Sequence, residues 1–567
     1  MTDSIQDIFG KLELLAMAHP DTWRVSACGV TSSLRSIPAL LDRDAHAPTT
    51  NRARVLLVAG LSGQPEDTAK CLELLNGFAT GGDSKLQHIA LSSIPCGSPD
   101  RLMADSSTSG HGDASTNYPP QGIFYQDADN PERQYLWRWI GFQAPDLLVE
   151  ICLGDEIKWE ANGAAERLAP PLSASNCGSS DSLVAAIGAG LPNDLGPIPG
   201  LRLTAPGDAV DTEMDRLWKI ITQTWVWSPS PARNTLNARR VRTPTEVAHV
   251  LASAYGHTLD PVVYTQGVAI SGRLRLAALD SERPSPTEDI TALVEDHVTR
   301  GLDQVLDVTA GSSSLAGLVW GNELTRATGD QRYSDLLLNA ADRFKQAGPG
   351  KPPSPSSPEY RVEDMFANSA MLGRAYRITG ENRYLDLLTP ILTHCDTQQE
   401  DGLFWHCRGA EYLWSRGNGF AAMGFAEALT YLPQEHPARP TILKMHLKHL
   451  DALRAKQQPS GMYLEVLDFP GSYQEFTSTC QIGYAVARGL RRGWLDPSYR
   501  GILDLAWQGV VERIDDEGNV VDACISTGVQ ESVQDYLHRQ AIFGRDDRSG
   551  SMALWFSVEL ARLNRGI

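Results

Sequence analysis

Four side chains with complementary chemistry lie close together in the stretch 402–429: His406, Trp414, Arg416 and Asn418. An indole can stack on the face of a sugar ring, a guanidinium can pair with a carboxylate, and a carboxamide or an imidazole can hydrogen-bond hydroxyl groups. We therefore predict that this stretch binds a sugar that carries a carboxylate. The alternative is the buried start of a helix, in which the arginine is satisfied by partners within the protein.

The candidate for acid–base chemistry is Asp364, in the segment Arg361-Val-Glu-Asp-Met-Phe. We predict that a helix begins here and that the apolar neighbours Met365 and Phe366 raise the pKa of this carboxyl group, as a general acid working near neutral pH requires. An aspartate at a helix start is also a common cap or partner of the helix dipole. Glu363 is the neighbour that could be mistaken for the acid.

The order Gly-Leu-Phe-Trp-His at 402–406, followed by Trp-Ser-Arg-Gly-Asn-Gly-Phe at 414–420, resembles the unsaturated uronyl hydrolases of glycoside hydrolase families 88 and 105. Supporting matches cover about the last three hundred residues. The resemblance implies a glycosidase that removes a terminal 4,5-unsaturated uronic acid from lyase-generated oligosaccharides by hydrating the double bond. It also implies one acid/base group, no metal and no cofactor.

The same resemblance assigns roles residue by residue. Asp364 would be the catalytic acid and base. Six side chains would contact the substrate: His406, Trp414, Arg416, Asn418, Phe420 and Arg408. Phe420 stands where the family usually has a tryptophan and keeps an aromatic wall, whereas Arg408 is a further candidate that the motif does not carry.

One position departs from the family pattern. The family usually carries a second acid about fifteen residues before the Thr-Gly-Asp of an inner turn, and that position is Ser313 here. A serine hydroxyl cannot share acid–base duty near neutral pH. Either Asp307, Asp546 or Asp547 supplies the second carboxylate, or the activity is altered or lost.

The elements that position these residues are helices. Thr328-Gly-Asp-Gln-Arg-Tyr333 recurs fifty-one residues later as Thr379-Gly-Glu-Asn-Arg-Tyr384, with a glycine at each predicted helix end. Repeated helical hairpins of this length close into a ring or stack into a linear solenoid, and the resemblance favours the ring, an (α/α)6 barrel. We assign residues 243–567 to this all-α glycoside hydrolase domain, with a proline-rich, then basic linker at 228–243.

Residues 1–230 alternate strand-like and helix-like segments, which predicts an α/β domain. The order of its parts resembles the zinc carboxypeptidases of the carboxypeptidase A-like family. The metal ligands of that family are missing, because Ser62 stands at the first ligand position, Glu66 is one residue out of place and Cys152 replaces the second histidine. We predict a multidomain protein with a carboxypeptidase-like first domain that lacks zinc. A serine- and glycine-rich loop is predicted at 104–122.

The net charge of -19 and the sequence pI near 5.1 argue against nucleic acid and anionic membranes as partners. An acidic oligosaccharide must therefore meet a local basic pocket. The sequence shows no membrane span, the first residues show no signal peptide, and nine scattered cysteines are typical of free thiols, so we expect a cytoplasmic protein. The sequence is compatible with a homo-oligomer. The alternative functions are an inactive carbohydrate-binding or scaffold protein and, more weakly, a metallopeptidase that uses Glu66 and Cys152.

Overall fold

The computed structural model describes residues 4–81, 83–104, 112–120, 130–178, 180–191, 193–224, 227–348 and 350–567. Residues 105–111, 121 and 122 of the loop predicted at 104–122 lie outside these ranges. The chain divides into two compact units, one formed by Met1–Arg240 with Phe469–Tyr473 and the other by Val241–Asp468 with Gln474–Ile567.

The first unit is built on one eight-stranded mixed sheet. Its strands, in chain order, are β1 Trp23–Val30, β2 Ser36–Asp42, β3 Ala53–Ala59, β4 Ile89–Ile94, β5 Leu147–Leu153, β6 Lys158–Ala161, β7 Ser175–Asn176 and β8 Gly200–Ala205. They lie in the order β1-β2-β4-β3-β5-β8-β6-β7. The central strands β4, β3, β5 and β8 run parallel to one another. All seven residues of β3 are buried, as expected for an apolar strand covered on both faces.

Nine α-helices accompany the sheet in the described part of this unit. They are α1 Ile5–Ala18, α2 Pro65–Thr80, α3 Asp83–His88, α4 Pro99–Met103, α5 Pro131–Gln143, α6 Ala169–Leu172, α7 Leu183–Ala189, α8 Gly207–Lys219 and α9 Pro231–Arg240. Apolar side chains of α1, α2 and α8 form one buried cluster with the strands. The predicted α/β architecture of this part of the chain is confirmed.

The second unit consists of long helices in pairs. Its α-helices are α10 Pro244–Ala254, α11 Tyr264–Leu279, α12 Thr287–Arg300, α13 Leu302–Val305, α14 Ser312–Leu315, α15 Gly321–Thr328, α16 Arg332–Ala341, α17 Val362–Thr379, α18 Arg383–Thr393, α19 Ser415–Tyr431, α20 Arg439–Lys456, α21 Phe476–Arg492, α22 Arg500–Glu512, α23 Val533–Leu537 and α24 Asp547–Arg565. Two short hairpins, Tyr463–Leu464 with Gln474–Glu475 and Val520–Cys524 with Ala541–Gly544, complete it.

Burial separates inner helices from outer ones. In α19 every residue from Ser415 to Leu429 is buried, whereas α20 buries only one face. The inner helices are α11, α15, α17, α19, α21 and α24. Each of the first five is followed in sequence by an outer helix, and α24 packs against the outer helix α10 from the beginning of the unit. Contacts run from α17 through α19 and α21 to α24, and α24 packs against α11. Because the first and last inner helices touch, the ring is closed and the linear solenoid is wrong.

Small residues allow the inner helices to approach closely. A Cβ on Gly424 of α19 would lie 2.7 Å from the main-chain carbonyl carbon of Met365 in α17, and one on Gly419 would overlap the Gln481 side chain of α21. A larger residue at either position would push the neighbouring helix away. The predicted glycine ends of the repeat are confirmed, since Gly329 and Gly380 end α15 and α17 with left-handed φ angles of 82° and 74°.

One charged side chain from each inner helix joins a layer of alternating sign. The six are Arg275, Glu323, Arg374, Glu427, Arg488 and Glu559. The closest nitrogen–oxygen distances are 3.1 Å from Arg275 to Glu323, 2.7 Å from Arg374 to Glu427 and 2.7 Å from Arg488 to Glu559. Three positive and three negative groups compensate one another, so the layer is electrically balanced and ties neighbouring helices together.

Candidate active site

A cavity of about 310 Å³ opens where the inner helices of the second unit begin. The first turns of four helices contribute to its lining: Tyr264 from α11, Glu363 and Asp364 from α17, Arg416 from α19 and Arg548 from α24. Its volume lies at the lower end of the range for small-molecule sites, which suits one sugar ring better than a chain of several.

Asp364 is held in this cavity by two hydrogen bonds. The Ser312 hydroxyl donates to Oδ1, and the main-chain N–H of Ser357 donates to Oδ2 at 2.8 Å. The carboxyl group is buried, and burial raises its pKa to about 6 even though both hydrogen bonds favour the ionised form. A group with this pKa can both donate and accept a proton near neutral pH.

The adjacent Glu363 has the opposite electrostatic setting. Burial raises its pKa, but His406 and Arg361 outweigh burial and lower the pKa to about 2. The Glu363 Oε1 atom lies 3.2 Å from Nε2 of His406 and 2.7 Å from a guanidinium nitrogen of Arg361. Two neighbouring carboxyl groups therefore differ in protonation, one a fixed anion and the other available to titrate.

Arg416 provides a fixed positive charge. Its terminal nitrogens donate to the carbonyl oxygens of Cys524 at 2.6 Å and Ile525 at 2.8 Å. Its guanidinium lies 4.7 Å from the ring centroid of Trp414, whose indole N–H donates to Glu465 at 3.0 Å. Two carbonyls orient the guanidinium. Among the described residues it forms no ion pair, although the buried Glu475 and Glu465 lie near enough to act on it electrostatically.

Aromatic side chains form one wall of the cavity. Tyr264 lies 5.6 Å from Phe420 and 6.3 Å from Phe366 between ring centroids, and Phe366 lies 5.9 Å from Phe420. All three line the cavity. An apolar wall beside Asp364 keeps water scarce and offers a flat face to a sugar ring.

The family profile of Glycosyl Hydrolase Family 88 matches residues 257–564, which contain all of this cavity. The chain belongs to this family. The unsaturated rhamnogalacturonyl hydrolase YesR of Bacillus subtilis is 25% identical over 289 residues, which are 47% of this chain and 82% of that protein. The predicted resemblance of the second half to the unsaturated uronyl hydrolases is thus confirmed, and so is the prediction of a glycosidase.

One solved structure shares the fold of the second unit. A family 105 glycoside hydrolase from C. acetobutylicum aligns with a TM-score of 0.50 at 16% identity, over 55% of this chain and 98% of that one. The unsaturated glucuronyl hydrolase of Bacillus sp. GL1 aligns with a TM-score of 0.44 at 14% identity, over 58% and 97%. The family 88 match leaves residues 1–256 uncovered, so the carboxypeptidase resemblance stays a prediction.

Four of the predicted site residues line the cavity of the candidate active site. Asp364, Trp414, Arg416 and Phe420 all line it. The lining also includes side chains that were not among the predicted site residues, such as Tyr264, Ser312, Phe366 and Arg548. They come from separate segments of the chain, and of these four only Phe366 belongs to a segment that the sequence had singled out for catalysis.

Asn418 has a structural task instead of the predicted contact with substrate. Its Oδ1 accepts the main-chain N–H of Phe404 at 2.9 Å, and its Nδ2 donates to the carbonyls of Phe404 at 2.9 Å and Trp414 at 3.0 Å. His449 Nε2 lies 3.1 Å from the same Oδ1. The carboxamide is fully buried and fastens α19 to the preceding segment, so it does not face the cavity.

Two further predicted contacts also lie outside the cavity lining. His406 is fully buried, with Nδ1 2.6 Å from the Tyr536 hydroxyl and Nε2 3.2 Å from Oε1 of Glu363. Arg408 has a side chain that is 40% exposed and forks onto Asp396, with Nε 2.9 Å from Oδ1. Neither side chain is placed to touch a sugar in the cavity.

A second carboxylate beside Asp364 could come from several positions, which differ in their distance from the cavity. Ser313 does line the cavity, beside the Ser312 that bonds Asp364. Asp307 is exposed and bonds Thr309, while Asp546 accepts from the main-chain N–H of Ser549 at 2.9 Å at the start of α24. Besides Asp364, the carboxylate that lines the cavity is Glu363.

The described residues contain no group of three histidine, cysteine, aspartate or glutamate side chains that could hold a metal ion. In the first unit, Cys152 donates its S–H to Glu150 at 3.5 Å, and Ser62 donates to Asp67 at 3.5 Å. No helix in the described part of the chain is long and apolar enough to cross a membrane.

Proposed function

We propose that the chain removes a terminal 4,5-unsaturated uronic acid from oligosaccharides left by polysaccharide lyases, by adding water across the double bond. The observation that carries this proposal is the setting of Asp364: a buried carboxyl group with a pKa of about 6, beside a fixed anion, in a small cavity that is also lined by Arg416, which forms no ion pair among the described residues. A protein with a net charge of -19 repels an acidic sugar, so it needs a local positive charge to hold one.

The reaction begins with the protonated form of Asp364. The acid donates its proton to C4 of the sugar, and the electron pair of the double bond forms the new C–H bond. Positive charge develops at C5 and the ring oxygen. The carboxylate of Asp364 then accepts a proton from a water molecule whose oxygen bonds to C5. One water molecule has been added, and Asp364 has returned to its starting protonation state.

The hydrated sugar is a hemiketal at C5 and opens without further help. Opening gives a ketone at C5 and leaves a hemiacetal at C1, which expels the leaving sugar as an alcohol. Arg416 pairs with the substrate carboxylate and so fixes C4 and C5 against Asp364. Trp414 and the aromatic wall stack on the sugar faces. Glu363 stays ionised and opposes the loss of a proton from Asp364 before substrate arrives.

A panel of unsaturated disaccharides from pectin-derived and other acidic glycans tests the proposal. The ultraviolet absorbance of the conjugated double bond should fall with at least one of them when the full chain is added. If every disaccharide binds and none loses absorbance, the chain is the inactive carbohydrate-binding protein that Ser313 first suggested.

The pH dependence of kcat/KM should follow Asp364. Because the reaction needs its protonated form, kcat/KM should be constant below about pH 6 and fall about tenfold per unit above it. Glu363, with a pKa of about 2, stays ionised throughout and adds no acid limb in this range. The profile is measured from pH 4.5 to 8.5 at fixed ionic strength. Activity that rises through pH 6 would contradict the role of Asp364 as the acid.

We also propose that the first unit is a carboxypeptidase-like scaffold without peptidase chemistry. Burial raises the pKa of the Cys152 thiol, and Glu150 raises it further, so this sulfur is a poor zinc ligand at neutral pH. Elemental analysis of the purified chain should find no stoichiometric zinc. One zinc per chain that is lost in Cys152→Ser would restore the metallopeptidase alternative.

A further inference from the structure

A second cavity, of about 520 Å³, lies where the inner helices end. Several helices contribute to both cavities through residues fourteen positions apart. Helix α11 gives Tyr264 to the candidate active site and Ala278 to the second cavity, and α24 gives Arg548 and Arg562. At 1.5 Å per residue the two cavities lie about 20 Å apart along the helix axes. The second cavity is therefore a separate feature.

Arginine dominates the lining of this cavity. Seven arginines line it against one carboxylate, Glu323. Arg275, Glu323 and Arg488 belong to the balanced layer of alternating charges described above, which forms its floor. The balance ends at that layer, because the chain turns no other carboxylate toward the cavity in the described residues.

The next turn of the same helices carries only positive charge. Three residues beyond the layer, α15 places Arg326, α17 places Arg377, α21 places Arg491 and α24 places Arg562. Arg492 follows Arg491 on α21. Four of the six inner helices thus point a guanidinium into one cavity of a protein whose net charge is -19.

Only some of these arginines have partners. Arg491 pairs with Glu559 at 2.6 Å, and Arg562 donates to the carbonyl of Arg275 at 3.3 Å. In the described part of the chain, the exposed side chains of Arg326, Arg377 and Arg492 form neither an ion pair nor a hydrogen bond.

The positive charge is offset only in part, by the pairing of Arg491 with Glu559. Burial lowers the pKa of Arg562 to about 10, and the nearby Arg275 lowers it further. Burial and then Arg491 lower the pKa of Arg492. Arginines in last turns commonly stabilise helix C-termini, and the bond from Arg562 to a carbonyl of α11 fits that explanation. It does not explain three guanidiniums that reach no carbonyl.

We propose that this cavity binds a small oxyanion with two or more negative charges, of the phosphorylated or polycarboxylate class. Planar guanidinium groups converging from separate helices match the oxygen edges of such anions and bind them in pairs of parallel hydrogen bonds. The cavity volume lies within the range of small-molecule sites. The site does not depend on the reaction proposed for the other end of the ring.

Calorimetric titration of the full chain tests the site, with inorganic pyrophosphate as the phosphoryl probe and citrate as the carboxylate probe. We expect one equivalent of at least one probe to bind, with an affinity that falls as salt rises. Binding of pyrophosphate alone assigns the site to phosphorylated ligands, and binding of citrate alone assigns it to polycarboxylates. If neither binds at low salt, the proposal is overturned.

The matched variants carry three substitutions each. Arg326→Gln/Arg377→Gln/Arg492→Gln removes the unpaired guanidiniums, and Arg332→Gln/Arg383→Gln/Arg500→Gln removes three arginines at the starts of outer helices, whose side chains are about half exposed. The first variant should weaken probe binding at least tenfold and the second should not, although both change the net charge equally. Equal losses, or a loss only in Arg416→Met, would place the probe elsewhere and refute the site. Activity in the absorbance assay should be unchanged in both triple variants.

Discussion

Asp364→Asn should lower kcat for an unsaturated disaccharide by about 10²- to 10⁴-fold, the range that general acid–base groups contribute. The amide has nearly the shape of the acid and can still accept the N–H of Ser357. It cannot release a proton to C4 or accept one from water. Substrate affinity should change little, because Arg416, Trp414 and the aromatic wall are left intact.

A folding defect is not expected to imitate this loss. Burial raises the pKa of Asp364 above that of the unfolded chain, so its ionised form is disfavoured in the folded state above about pH 6. A neutral asparagine avoids that cost, and the thermal midpoint at pH 7.5 should be equal or higher. Asp386→Asn on the outer helix α18 is the matched control and should keep full activity. Full activity in Asp364→Asn would remove this residue from the mechanism.

Glu427→Leu should destabilise the second unit by about 3–5 kcal/mol, the cost of breaking a buried ion pair from one side. Glu427 is fully buried, and although burial raises its pKa, Arg374 and Arg488 outweigh burial and lower it to about 2. It lies 2.7 Å from Arg374 and 3.5 Å from Arg488. Its removal leaves the fully buried Arg374 without its nearest counter-charge.

The double variant separates a charge effect from a packing effect. Glu427→Leu/Arg374→Met removes both members of the pair, so it should recover part of the stability that Glu427→Leu loses. The midpoint of urea denaturation, followed by a signal from the second unit, measures both. If the double variant loses as much stability as Glu427→Leu and Arg374→Met lose together, the pair carries no coupling and the balanced layer is not what holds the ring.

The catalytic candidate and the closed ring were accessible from sequence for different reasons. Asp364 could be singled out because its apolar neighbours are adjacent in the chain, and adjacency is visible in a sequence. The ring was suggested by the repeat at Thr328 and Thr379, but closure depends on contact between α11 and α24, whose residues are almost three hundred positions apart. No local pattern encodes that contact.

The motif around Trp414 predicted a site but not the direction of each side chain. Trp414 and Arg416 face the cavity, whereas Asn418 turns back to bond Phe404 and Trp414. The spacing of residues at a helix start does not show which polar side chains will form hydrogen bonds with the main chain instead of facing a ligand. Ser312 carries no charge, so its residue type alone does not indicate a role. Its hydroxyl nevertheless donates a hydrogen bond to Asp364.

The alternating layer left a signal that sequence analysis missed. Arg275, Glu323, Arg374 and Glu427 follow one another at intervals of 48, 51 and 53 residues, close to the 51 residues of the repeat. Opposite charges at the period of one helical hairpin predict a ring of ion pairs once the hairpins are known to close. Four of the arginines of the second cavity lie three residues after members of this layer. Their excess in the sequence can therefore be recognised only once the layer positions are known.

The most direct measurement follows two events in the same sample. One is the loss of the absorbance of the conjugated double bond, and the other is the release of the leaving sugar. If water adds to the double bond first, absorbance should fall without a lag and never trail behind sugar release, and Asp364→Asn should stop both. If sugar release runs ahead of the absorbance loss, the glycosidic bond is cleaved directly, and proton delivery from Asp364 to C4 is contradicted.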